Sequence, residues 1–576
     1  MDGVNGRLAT AVAVLVLGLV ATACEGPDGL GPSSESSKTT PTASPTPPTP
    51  AERLALETGW GPSEDELQHA ARQALRMPLR DLAGQVVVAS YAGTTAPVRL
   101  VKSLHLGGVV EFDDNIVDSD QIGRVNHTLA REVGRPLVIS VDQEGGLVER
   151  VGGARFPAFM AAGAADDEQL TRGAYRIMGA RLASLGFTVD FAPDADVTEG
   201  PADPTIGSRS AGDDPTLVAH QAIAAADGLL SGGVLPVLKH FPGHGSVPAN
   251  SHLTLPVQTR SMDWLRTHDL IPFAQGTKAG LPVVMVGHIA VQEVNPHVPA
   301  SLSRPLIQGV LRDDEGFQGV VVTDSLQMKG VQVHGALPPV VRSLRAGADL
   351  MLMPPSPAGA VNAIVHAVRH GDLRKDRLQQ AAARTLALLA HRAATAPRPP
   401  APARATAAAN AASRRLSAAA ITSVAGPCSG ALVTGKVAPL GDPSAVANFR
   451  VAAVAAGMSL GSVRYVKDPK PRRHHLPKKK YQRRLERWRD TPPRIVIRGT
   501  PVELLGPSDV VVGPVNGPVV VTTGAPYPLA QTTAGVRLAA WGNSPGPMAA
   551  LVAVLQGRAK ATGRLPVPVD GVRRGC

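Results

Sequence analysis

The run GVVVTDS, Gly319–Ser325, places three consecutive valines directly before a threonine and an aspartate. Adjacent β-branched residues favour extended backbone. Apolarity at every position, rather than every second one, means that both faces of the strand are covered. A strand of this kind belongs to a parallel sheet wrapped in helices, and its polar end marks the carboxyl edge.

Seven further runs share the pattern. They are QVVVAS (from Gln85), GGVVEF (from Gly107), PLVISVD (from Pro136), FTVDFAP (from Phe187), VLPVLKH (from Val234), LPVVMVGH (from Leu281) and ADLMLMP (from Ala348). Segments of helical length lie between them, for example QIGRVNHTLAREVG and LTRGAYRIMGARLASLG. Eight strand–helix units predict a (β/α)₈ barrel over residues 51–392; a doubly wound sheet fits the local pattern but not the regular count of eight. Glu111, Asp142, Asp196, His240, His288 and Asp324 all fall at or just past the ends of different runs. On a barrel those ends open onto one face, where active sites are built. Singly, each could be a helix cap or a polar turn; together they predict a site.

The rest of the chain frames this domain. Its 576 residues exceed one core and suit two domains plus tails. Apolar residues make up 44% and aromatics only 3%, so the cores are built from Val, Leu and Ala. At the N-terminus, Arg7 precedes an apolar run, Leu8–Val20, too short for a comfortable membrane span. Ala21-Thr22-Ala23 and Cys24 follow, and the segment resembles a bacterial lipoprotein signal. Residues 1–23 are thus expected to be removed and Cys24 lipidated, anchoring an exported protein to the outer face of the cytoplasmic membrane; the alternative is plain secretion. Residues 24–50, rich in Ser, Thr and Pro, read as an extended tether.

Cys428 and Cys576 remain, either as one disulfide or as two free thiols; export favours the disulfide. The formal charge of +11 is concentrated in Arg464–Arg489, where twelve Lys and Arg stand against Asp468 and Glu486. In an exported protein this basic insertion points to anionic lipid or a cell-wall polymer and not to nucleic acid. The simplest state for it is a solvated, disordered loop.

The motifs also carry a family resemblance. VDQEGGLVER (Val141–Arg150), FAPDADV (Phe191–Val197), IGSRS (Ile206–Ser210), KHFPGHG (Lys239–Gly245) with SHLTLP after it, and RAGADLMLMP (Arg345–Pro354) occur in order. Together they resemble glycoside hydrolase family 3, particularly its bacterial β-N-acetylglucosaminidase branch. After a linker (393–405), residues 406–576 resemble the α/β sandwich that follows the barrel in two-domain members.

The resemblance implies retaining hydrolysis of terminal β-linked N-acetylglucosamine, on cell-wall fragments such as muropeptides or on chitooligosaccharides. Asp324 matches the nucleophile that forms the glycosyl–enzyme intermediate. His252 matches the acid/base, a role suited to imidazole near neutral pH. Asp142, Arg209, Lys239 and His240 match the substrate-binding set, with Arg150 and Asp196 weaker members that could instead form supporting ion pairs. No cofactor and no metal are expected, since Pro242 and Gly243 break any helix that would bring His240 and His244 onto one face.

The chain departs from the branch at two positions. Asn250 stands where an aspartate normally pairs with the acid/base histidine, and Ser246 follows GHG where Asp is common. An asparagine can accept from imidazole Nδ1–H but brings no negative charge. This keeps open a weakly active or non-catalytic glycan-binding surface protein, and β-glucosidase or phosphorylase chemistry on the same scaffold.

Overall fold

The computed structural model describes residues 47–332, 335–467, 470–471, 477–490, 494–506 and 518–576. Cys24, the leader and most of the tether lie outside the described residues. No helix among the described residues is long and apolar enough to cross a membrane.

Each of the eight apolar runs forms a strand. They are β1 (Val87–Ala89), β2 (Gly108–Glu111), β3 (Val138–Val141), β4 (Val189–Asp190), β5 (Leu235–Pro236 and Leu238–Phe241), β6 (Val283–Val286), β7 (Val320–Thr323) and β8 (Met351–Leu352). Every neighbouring pair is parallel, from Val88 beside Gly108 through Val283 beside Val320. The Val322–Leu350 bridge joins β7 to the β8 end, and Val87 pairs with Met351, so the sheet closes into a barrel. Helices cover it outside, among them Ser119–Val133, Glu168–Ser184 and Pro215–Ser231. Each of these three starts at an aspartate whose side chain accepts first-turn amide hydrogens.

The barrel interior is packed rather than open. At its amino end, Thr385, Leu388 and Leu389 of helix Lys375–Thr395 meet Val138, Val189 and Val320. Burying each such Val or Leu side chain contributes roughly 1.5–3 kcal/mol. That rigid base holds the carboxyl-end residues in place.

Helix Lys375–Thr395 and the next helix, Pro402–Ala420, are separated by six residues, so the stretch 393–405 is partly helical. The second domain has a five-stranded sheet, β9 (Thr422–Ala425), β10 (Val437–Gly441), β11 (Thr500–Leu505), β12 (Val519–Thr522) and β13 (Val536–Ala539). Its order is β9-β13-β12-β11-β10, with only β9 antiparallel. Helices Pro443–Ala455 and Pro545–Leu555 pack with this sheet in one apolar cluster. Cys428 and Cys576 are joined, with Cα atoms 5.6 Å apart, tying the last residue back to the loop after β9.

The described residues in and around the basic insertion form regular elements, where composition alone predicts a disordered loop. Ser462–Val466 and Arg494–Arg498 pair as an antiparallel ribbon, and Lys478–Asp490 is a helix. Tyr481, Leu485 and Trp488 recur at helical spacing and turn inward, with Leu485 buried. That stripe supplies the apolar face that net charge alone does not reveal.

Candidate active site

The ends of β3, β4 and β5 build a buried ion cluster. Lys239 Nζ lies 2.9 Å from Asp142 and 2.5 Å from Glu144. The Arg209 guanidinium meets Glu144 through two nitrogens, at 2.8 and 2.9 Å, and Asp194 at 3.4 Å. Burial alone would raise the Glu144 carboxyl, but Arg209 and Lys239 outweigh it and hold it at about 2. Burial would likewise strip Lys239 of its proton, yet Asp142 and Glu144 push it above the usual lysine range. Both partners therefore stay charged, with Asp142 half-buried at the outer edge.

Asp196 organises the next layer. Its carboxylate accepts from the main-chain amides of His240 (3.1 Å) and His244 (2.6 Å), and from His240 Nδ1 at 2.7 Å. Burial would raise it, but the two histidines bring it down to about 2. With Nδ1 engaged, Nε2 is the nitrogen His240 can offer outward. His244 is different: burial, then His240, lowers its pKa, and its Nε2 meets Ser251 Oγ at 2.8 Å. Asp194, Asp196 and His240 could converge on a cation. Here Asp196 is spent on three N–H donors, and Arg209 supplies the positive charge at Asp194.

Across the barrel mouth, Asp324 ends β7. Its main-chain amide donates to Val286 O (2.9 Å), and its carboxylate accepts from the Ser325 amide at 2.7 Å. Burial pushes the carboxyl up, but His288, His240 and the Ser325 amide hold it below the usual range, with His252 adding to them. His288 fixes the turn. Its Nε2 lies 2.8 Å from Ser325 O, an acceptor only, so Nε2 carries the hydrogen. Ser301 Oγ, 2.7 Å from Nδ1, is then the donor there. His288 is a fixed strut whose pKa burial pushes down, with Asp324 opposing that shift.

His252 reaches this mouth on the loop after β5. Ser251 is buried; its carbonyl accepts from the Gly330 amide (3.0 Å), and its hydroxyl meets His244. The flanking side chains are outside that contact: Asn250 is half-buried and His252 exposed. Asn250 Oδ1 lies 2.9 Å from both the amide and Nδ1 of His252.

The structure thus brings Asp142, Arg209, Lys239 and His240 into one linked group and places Asp324, His288 and His252 within electrostatic reach of one another. Arg150 is held elsewhere: it pairs with Asp113 at 3.1 Å and lies over the Phe112 ring. Glu144 and Asp194, unassigned from sequence, prove central. The signal was present, because Asp142/Glu144 and Asp194/Asp196 are each two residues apart and point the same way on extended backbone. Ser246 contacts Asp269 and accepts from Gln258 at 2.6 Å, so a carboxylate from another segment stands beside the serine that follows GHG.

The second domain braces the loops that carry this machinery. Trp541 O accepts from the Ala158 amide at 2.7 Å, and Pro566 O from the Asp213 amide at 3.2 Å. Met160, Ala161 and Ala164 share a core with Trp541 and Leu565.

A closed barrel with acid, base and cation at its carboxyl end, followed by an α/β sandwich, is the architecture of a two-domain glycosidase. Residues 79–388 match the profile of the glycosyl hydrolase family 3 N terminal domain. A β-hexosaminidase of Mycobacterium tuberculosis is 36% identical over 338 residues, covering 57% of this chain and 81% of the relative. One from Xylella fastidiosa is 37% identical over 274 residues, covering 46% of this chain and 81% of that protein. A solved family 3 β-N-acetylglucosaminidase from a Paenibacillus species superposes with a TM-score of 0.72 at 27% identity, over 86% of this chain and 99% of that one. The chain belongs to glycosyl hydrolase family 3 and is a glycoside hydrolase.

Proposed function

We propose that the protein is a retaining β-N-acetylglucosaminidase in which Asp324 is the nucleophile and His252 the acid/base. The observation that carries this reading is the pairing at the barrel mouth. A carboxylate kept ionised despite burial stands within electrostatic reach of a histidine whose Nδ1 is occupied and whose Nε2 is available.

In the first step, an Asp324 oxygen attacks the anomeric carbon as the glycosidic bond breaks. His252 Nε2–H gives its proton to the departing oxygen, leaving a glycosyl–Asp324 ester. In the second, His252 Nε2 takes a proton from water, whose oxygen displaces Asp324. Asp142 accepts from sugar hydroxyls, while Arg209, Lys239 and His240 donate to the sugar. The N-acetyl substrate is supported by the β-hexosaminidase relatives.

The same reading makes the protein an exported lipoprotein, anchored through Cys24 and acting on muropeptides in peptidoglycan turnover. An anionic envelope partner for 464–489 belongs with it. A chromogenic β-N-acetylglucosaminide tests the activity. Wild type should release aglycone and Asp324→Asn should fall to background; equal rates from the two would sink the assignment. The neutral side chain of Asn250 favours one second reading, a weakly active glycan binder, which requires saturable muropeptide binding without turnover even after Asn250→Asp.

A further inference from the structure

Outside the residues assigned to the sugar, a cleft of about 580 Å³ is lined by Arg53, Arg304, Arg345, Arg374 and Arg377, with Asp372 and Asp376 as its only acids. Arg374 is bound to Asp376. Arg53, Arg304 and Arg345 are exposed and have no acidic partner among the described residues. Beneath the cleft, Asp349, just before β8, is shared by three arginines: Arg312 at 2.7 Å, Arg377 at 2.8 Å and Arg384 at 3.5 Å. Arg312 and Arg384 are themselves buried. One carboxylate cannot neutralise three guanidiniums, so the floor adds positive charge that solvent screens poorly.

We propose that this cleft is an anion site for a phosphoryl group, presented either as a free phosphate compound or as a phospholipid headgroup. Guanidiniums match phosphoryl oxygens with paired N–H donors, which a simple halide cannot exploit. A concave, low-dielectric wall concentrates the field that draws such an anion in. Helix Pro50–Arg53, through which the chain enters this domain, supplies Arg53 on the rim. None of the residues assigned to the sugar or to proton transfer lines this cleft.

The test uses the full-length chain and the double variant Arg304→Gln/Arg345→Gln, whose side chains contact none of the residues assigned to the sugar. Pyrophosphate should raise the melting temperature of wild type saturably above sodium chloride of equal ionic strength. The variant should need at least tenfold more pyrophosphate, with aglycone release from the chromogenic substrate unchanged. Co-sedimentation with phosphatidylglycerol against phosphatidylcholine vesicles separates the two sources. A wild-type excess over the variant on phosphatidylglycerol assigns the headgroup, and equal sedimentation with a retained pyrophosphate difference assigns a soluble anion. If pyrophosphate acts no differently from chloride, or acts equally on both proteins, the site does not exist. The readout is binding, so it stands or falls apart from the glycosidase reading.

Discussion

Asn250 Oδ1 faces two nitrogens of His252 at the same 2.9 Å, the main-chain amide and ring Nδ1. The amide can only donate, which identifies the facing atom as the amide oxygen of Asn250 and not its nitrogen. The same oxygen therefore requires a hydrogen on Nδ1. The tautomer that leaves Nε2 for proton transfer is set without a carboxylate. What asparagine cannot provide is negative charge beside the imidazolium that forms while His252 holds the extra proton.

Replacing Asn250 by aspartate should thus keep the geometry and add the missing charge. We expect kcat on a chromogenic β-N-acetylglucosaminide to be equal or up to about tenfold higher, well inside the range that general acid/base catalysis commands. Steady-state kinetics of the two proteins decide it. A large fall in kcat would mean that a neutral partner is part of this enzyme's own proton transfer.

The Glu144 carboxylate is the common anchor of Lys239 and Arg209, and it is almost wholly buried. Glu144→Gln preserves shape but leaves two buried cations with too little counter-charge. Breaking a buried pair in this way costs about 3–5 kcal/mol. Urea denaturation should show that loss together with a collapse of activity. Asp142→Asn, at the half-exposed edge, should cost far less stability and act chiefly by raising KM. Equal stability losses in the two variants would contradict the division between anchor and substrate contact.

The barrel and its loop residues differ in how far they could be read from the chain. Val283–Val286 and Val320–Thr323 announce themselves because a strand buried on both faces must be apolar throughout. Asp324 and Lys239 follow, since the strand end fixes where they emerge. The partners of those residues do not follow. Nothing in the local pattern says that Glu144 joins Lys239, because the two residues lie far apart in sequence. The contact of Trp541 with Ala158 depends on how two domains dock, and the order in Lys478–Asp490 depends on three apolar residues within a run read for its charge.

The Cys428–Cys576 bond closes a separation of 148 residues, a long loop whose entropy in the unfolded chain is reduced accordingly. Chain-entropy reasoning gives a contribution of about 5 kcal/mol for a loop of this size. Cys428→Ser/Cys576→Ser should lower the denaturation midpoint and should abolish the effect of reductant on it. A reductant effect that persists in the double variant would have to come from elsewhere.

Glu111 ends β2 in full burial, accepts from the Tyr91 hydroxyl at 2.8 Å, and leaves Oε2 without a partner. Burial lifts its pKa to about 7, with Tyr91 and Asn126 opposing the rise. Asn126 Oδ1 is also buried and unpartnered. The folded state therefore holds a proton that the unfolded chain releases near pH 4.3. Because the folded form binds more protons in between, stability is full below about pH 4.3 and falls as pH rises through about 7, by about 4 kcal/mol at most. Glu111→Gln keeps the acceptor for Tyr91, places an N–H where the proton was, and does not titrate. Chemical denaturation from pH 5 to 8 should show wild type losing stability relative to this variant as pH rises. Parallel curves would mean that Glu111 is ionised in the folded protein and that its charge is met by groups other than Tyr91 and Asn126.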